Sequence, residues 1–159
     1  DFVYAKAANK TVKLLGMSKA VDENTALAMV APFMISKEHP LSLVNDVFNA
    51  IFVTGNMLGD SMYYGRGAGK EPTASAVVAD VIDCAKHTER RKLIGWEAYE
   101  KDYVVNPLEQ SSSLYVRAAV SAYDAAAAAI EAAFDGAQLL SYDNESKNEI
   151  AFVTPLMNE

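Results

Sequence analysis

Three glycines at alternate positions, Gly65, Gly67 and Gly69, open a turn that runs through Pro72 and Thr73 into a stretch with helical apolar spacing. Glycine permits positive φ and lets a main chain come close to a ligand. The free N–H groups that begin the following helix offer donors and a partial positive charge to an anion. A phosphate-bearing cofactor suits such a corner. Two common phosphate-loop spacings are absent. G-x-G-x-x-G would need glycine at position 70, where Lys70 stands, and a P-loop ending at Gly69-Lys70 would need glycine at 64 and a hydroxyl residue at 71, where Tyr64 and Glu71 stand. Spacing alone leaves a flexible connector equally open.

Few other side chains suggest chemistry. Lys70, beside the glycines, has two readings: a point charge for a cofactor phosphate, or a solvated loop lysine. His39 precedes a proline and His87 ends a helical stretch, with no cysteine or carboxylate at metal-ligand spacing, so neither is expected to bind metal or act in catalysis. Cys84 borders an apolar stripe and is expected to be a buried, inert thiol. Asp80 and Asp83 read as helix surface.

The chain has 159 residues, 51% of them apolar, enough for one or two small cores without staples. Its net charge of −7 argues against nucleic acid, whose phosphates demand a basic surface. Residues 113–159 hold seven carboxylates against Arg117 and Lys147, so most of the acidity lies in the C-terminal part. No apolar run approaches the roughly 20 residues that span a bilayer, so no membrane partner is expected. One cysteine excludes an internal disulfide and suits a reducing compartment, with the cytoplasm as the expected location.

The pattern of residues gives the elements that would position the turn. Residues 2–9 read as the end of a helix. Residues 11–19 (TVKLLGMSK) and 25–32 (TALAMVAP) read as strands around a hairpin turn at Asp22-Glu23-Asn24. Residues 36–44 form a loop or short helix, and 48–54 and 57–64 are two more strands around Gly55-Asn56. Four strands suggest an antiparallel sheet, with the N-terminal helix as a candidate cover. Ala74, Val77, Val78, Val81, Ile82 and Ala85 then fall on one helical face, and Arg90-Arg91-Lys92 comes just after the expected helix end. Residues 88–112 read as an ordered linker in which Trp96, Tyr99 and Tyr103 supply surface to pack. Residues 114–120, 124–134, 137–142 and 149–154 read as strand, helix, strand and strand.

Four short motifs occur in order: His39-Pro40-Leu41, Asn49-Ala50-Ile51, Gly65-Arg66-Gly67-Ala68-Gly69, and Pro72-Thr73-Ala74-Ser75-Ala76-Val77. Over residues 1–87 this resembles the C-terminal part of homoserine dehydrogenases, with H-P-L, N-A-(V/I), G-x-G-A-G and P-T-A-(S/T)-A-V over the same interval. The resemblance implies an oxidoreductase that interconverts homoserine and aspartate semialdehyde with NAD or NADP, in the biosynthesis of threonine, methionine and isoleucine. It implies that Gly69 lies against the nicotinamide cofactor, with Gly67, Ala68, Pro72 and Thr73 as neighbours, and that the sheet pairs subunits into a homodimer. It also implies that the apolar helix packs on a cofactor domain. The family's Rossmann-type domain and its proton-relay lysine and substrate carboxylates have no counterpart in this sequence, so a C-terminal fragment, inactive alone, is expected. The choice between NAD and NADP is left open with the Rossmann domain.

The strand-helix-strand-strand order of residues 113–159 resembles an ACT domain, the amino-acid-sensing module of many homoserine dehydrogenases, in partial form. The expected fold is therefore α+β: a mostly antiparallel sheet with covering helices, then a partial ferredoxin-like βαββ unit. The corresponding divisions are 1–87, linker 88–112 and regulatory 113–159. Asp124 is followed by Ala125, Ala126 and Ala127 where that module usually has Pro-Gly, which argues against amino-acid effector binding. An alternative function is a non-catalytic module for dimerisation and amino-acid binding.

Overall fold

The computed structural model describes residues 1–89, 95, 98, 102–142 and 147–157. Contacts divide the chain into two compact units, one made of Asp1–Lys37 with Glu100–Glu159 and the other of Glu38–Tyr99.

The first unit starts with α1 (Phe2–Ala7) and turns at Asn9, whose φ of 54° suits a residue tolerant of left-handed backbone. Strands β1 (Lys10–Ala20) and β2 (Ala26–Ser36) pair along their full length, from Lys10 against Ser36 to Ala20 against Ala26. In their turn the Asn24 N–H donates to Asp22 Oδ1 at 2.8 Å. That bond, helped by Thr25, holds the Asp22 carboxyl below the usual carboxylate range. Strand β2 runs four residues past Pro32, where sequence reading ends it. The short β5 (Val104–Val105) pairs in parallel only with Ala26 and Leu27, so Pro32 lies where no described strand asks for an N–H on that edge. Of the linker 88–112, residues 90–94, 96, 97 and 99–101, including Trp96, Tyr99 and the Arg90-Arg91-Lys92 cluster, lie outside the described residues.

The same unit contains β6 (Tyr115–Ala119), α3 (Tyr123–Ala133), β7 (Gln138–Leu140) and β8 (Glu149–Val153). Strand β8 lies between β6 and β7 and is antiparallel to both, which makes a split β-α-β arrangement. The strand-to-helix turn falls at residues 120–122, so Asp124 and Ala125 already belong to the first turn of α3.

The core of this unit joins the two ends of the chain. Tyr4, Leu140 and Ala151 are buried together, flanked by Ala8, Met34, Tyr115, Tyr142 and Val153. Tyr4 meets Tyr142 edge-on at 4.9 Å and donates its hydroxyl to Glu149 Oε1 at 3.1 Å. Tyr115 donates to Asp1 Oδ1 at 3.0 Å, and its partly buried phenol titrates above the ordinary range because burial disfavours its anion. Arg117 Nε approaches the same Asp1 oxygen at 3.5 Å. Helix α1 therefore packs with the C-terminal sheet rather than covering a four-stranded one.

The second unit holds the other hairpin, β3 (Phe48–Gly55) and β4 (Gly59–Arg66), in register from Phe48 against Arg66 to Gly55 against Gly59. The expected four-stranded sheet is thus two separate antiparallel ladders, each closed by its own turn. Phe48 stacks on Tyr64 at 4.9 Å, Arg66 lies over Phe48 at 5.5 Å, and Thr54 donates to Asp60 Oδ1 at 2.7 Å across the strands. Before β3, His39 Nδ1 accepts from the Leu41 N–H at 3.2 Å, capping a 3-10 turn over Pro40–Leu43. Beyond β4 runs α2 (Lys70–Lys86), none of whose residues is buried.

Candidate functional site

The hairpin delivers its second strand directly into the glycine turn. Its ladder gains one further bond beyond Phe48 and Arg66, from the Gly67 N–H to the Val47 carbonyl at 3.3 Å. Two residues later Gly69 caps α2 with φ 108° and ψ 159°, a backbone state essentially confined to glycine. The Gly69 carbonyl accepts from the Thr73 N–H at 3.2 Å and from Thr73 Oγ1 at 2.8 Å. Pro72 closes the corner, its Cδ 3.7 Å from where a Cβ on Gly69 would stand. Proline is tolerated in a first helical turn, where its missing N–H would have had no intrahelical acceptor.

Gly67, Ala68, Gly69, Pro72 and Thr73 thus share one hairpin-to-helix corner. The three glycines differ in their reasons. Gly69 is required by its dihedrals, a Cβ on Gly67 would have to displace the Asn49 carboxamide, and a Cβ on Gly65 would meet nothing within 4 Å. Lys70 and Glu71 are exposed in the first turn of α2 and bring opposite charges to its start.

Other expected features are placed elsewhere. His87 lies at the far end of α2, its Nδ1 3.0 Å from both the carbonyl and Oδ1 of Asp83. His39 packs against Phe52 at 4.9 Å. Cys84 is exposed, contrary to its expected burial, because α2 gains no cover within the described residues. Val77, Val78, Val81 and Ile82 on the apolar face are exposed for the same reason. Among the described residues no group of three or more His, Cys, Asp or Glu side chains is placed to hold a metal ion. No described helix is long and apolar enough to cross a membrane.

Asn49 belongs to the Asn49-Ala50-Ile51 motif, whose residue types alone assign it no role. Its side chain lies against the α-carbon of Gly67. In the hairpin Asn49 pairs with Gly65, a register set by a three-residue turn over 56–58, whereas the turn read at Gly55-Asn56 starts the second strand two residues early.

The chain is thus of the α+β class, with an antiparallel hairpin that feeds a glycine corner at a helix start. The sequence model for homoserine dehydrogenase matches residues 1–82. The chain is 49% identical over 86 residues to a homoserine dehydrogenase of Synechocystis sp., covering 52% of this chain and 20% of that protein. It is 40% identical over 121 residues to one from Helicobacter pylori, covering 76% of this chain and 28% of that one. A solved S. aureus homoserine dehydrogenase superposes with a TM-score of 0.70 at 27% identity, over 100% of this chain and 39% of its own. One from Thiobacillus denitrificans gives 0.62 at 29% identity, over 97% of this chain and 37% of its own. This chain belongs to the homoserine dehydrogenase family. It spans between a fifth and a third of the length of those two curated relatives.

Proposed function

We propose that this chain is part of an NAD(P)-dependent homoserine dehydrogenase, and that the corner at Gly67, Ala68, Gly69, Pro72 and Thr73 lies against its nicotinamide cofactor. The single observation that carries this is the backbone at Gly69, which a side chain would strain and which leaves the main chain bare on that side. Such a surface fits a flat ring. A nicotinamide held there would supply the hydride acceptor or donor for the carbinol carbon of homoserine. The residues here supply placement. Thr73, through two bonds to the Gly69 carbonyl, fixes that peptide at the head of α2, and Pro72 stiffens the turn behind it.

The chain spans only a fifth to a third of those two curated relatives, and alone it is proposed to be inactive. Homoserine oxidation with NAD⁺ or NADP⁺ by this chain, and by the same chain joined to the family's upstream cofactor-binding region, tests the proposal. Activity only in the longer protein is the expected result. Activity in neither would leave a retained fold without the chemistry.

A non-catalytic role in assembly is the second reading, favoured by exposed apolar surface. Leu14 and Val30, each 73% exposed, share one face of the β1–β2 hairpin with Gly16 and Pro32. Pairing of two copies on this face gives the proposed homodimer. The split β-α-β order of residues 115–153 supports the ACT-like reading of the regulatory segment 113–159, with 1–87 as the catalytic-region segment and 88–112 as linker. The single cysteine fits the proposed cytoplasmic setting.

Regulation yields a separate expectation. Residues 120–122 form the turn before α3, and no glycine lies there or at Ala125 to Ala127 to open the backbone to an amino acid. Threonine at millimolar concentration is expected neither to inhibit the parent enzyme nor to raise the melting temperature of this chain. A saturable upward shift would show a live effector site.

A further inference from the structure

We propose that Asn49 is a positioning residue that fixes the glycine corner to the hairpin, an inference that rests on the reading of the corner as cofactor-facing. Asn49 stands opposite Gly65 in the ladder and diagonal to Gly67 on the same face. A Cβ on residue 67 would collide with Asn49 Nδ2 and would lie 3.0 Å from its Cγ and 3.5 Å from its Cβ. The carboxamide therefore fills the space that a side chain on residue 67 would occupy. A Cβ on Gly65 meets nothing within 4 Å, so this packing is specific to one of the two facing glycines.

The contact matters because it sits two residues before Gly69. The Gly67 N–H donates to the Val47 carbonyl at 3.3 Å, and the Asn49 side chain packs over the face where a Cβ on residue 67 would stand. Ala68 then leads to Gly69, whose dihedrals are fixed by the helix start. With Gly67 hydrogen-bonded through its backbone and packed against the Asn49 carboxamide, the Gly69 peptide is placed relative to β3 through only one intervening residue. Removal of the Asn49 carboxamide leaves the Val47 bond alone, and small displacements of a positioning group are costly to rate and binding.

The test uses the full-length parent enzyme with Asn49→Ala, Gly67→Ala and the double variant. Kinetics for both substrates, NAD(P)H affinity and melting temperature are read for each. Asn49→Ala is expected to raise the cofactor KM on the order of tenfold, with homoserine KM and melting temperature close to the parent's. Gly67→Ala is expected to displace the carboxamide and raise the cofactor KM similarly. The double variant is expected to be no worse than Asn49→Ala, because the added methyl then enters vacated space. A parental cofactor KM in Asn49→Ala, or a double variant showing the product of the two single effects, overturns the proposal. If Gly67→Ala does not fold, Asn49→Ala, at an exposed strand position, decides alone. Gly69→Val, measured alongside, separates the two readings. A parental cofactor KM there removes the cofactor role of the corner itself, whereas a raised one with Asn49→Ala unaffected removes only the role of Asn49.

Discussion

Tyr4→Ala is expected to destabilise the first compact unit by roughly 3–5 kcal/mol, the usual cost of emptying a buried aromatic site. Tyr4 is 1% exposed and lies with Leu140 and Ala151 at the centre of that unit. The cavity would open where α1 meets β7 and β8, which leaves α1 without its main anchor. Tyr4→Phe keeps the ring against Tyr142 and loses the bond to Glu149, so roughly 1–3 kcal/mol is expected. Urea denaturation followed by tyrosine fluorescence measures both. An unchanged midpoint in Tyr4→Ala would show that α1 is not part of the core.

Gly69→Val in the full-length parent is expected to raise the cofactor KM on the order of tenfold or more. Two effects add. A β-branched residue at φ 108°, ψ 159° costs roughly 1–3 kcal/mol in backbone strain, which the turn relieves by moving. The isopropyl group also covers main chain proposed to face the nicotinamide. Gly65→Ala, four residues away with ordinary φ and open space, is the control and should behave like the parent. Steady-state kinetics with varied NAD(P)⁺ at saturating homoserine distinguishes them. Equal cofactor KM values in both variants would take the cofactor role away from this corner.

Most of the elements were legible because their signals are local. Strand-forming residues over 11–19 and 48–54, turn residues at Asp22–Asn24, and the 3.6-residue spacing from Ala74 to Ala85 each act within a few neighbours, whereas the turn read at Gly55-Asn56 falls one residue further on, at 56–58. What was missed depends on distant partners. Nothing in FVYAKA says that Tyr4 will be buried by Leu140 and Ala151, more than 130 residues away. Two hairpins with suitable turns also satisfy the same alternation as one four-stranded sheet, and only their pairing distinguishes the two. The strand read over 25–32 stops at Pro32, yet β2 continues to Ser36, since beyond Leu27 it has no described partner on the side away from β1. Cys84 was misjudged because an apolar stripe reports a tendency to be covered and not the presence of a cover. At the corner the glycines were visible, but their separate roles were not. Dihedrals distinguish Gly69, and a neighbour across the hairpin distinguishes Gly67.

The shared core of the chain's two ends has a consequence in time. Tyr4 leaves the ribosome long before its partner Glu149, 145 positions later. At about 5–20 residues per second, α1 and its hairpin wait roughly 7–30 seconds for the strands that bury them. During that interval Tyr4 and Met34 have no C-terminal sheet to meet. Closing so long a loop makes the last step of folding slow relative to forming either hairpin. Newly made chains are therefore most exposed to aggregation just before synthesis of β8, and a chaperone that holds the N-terminal hairpin would act in that window.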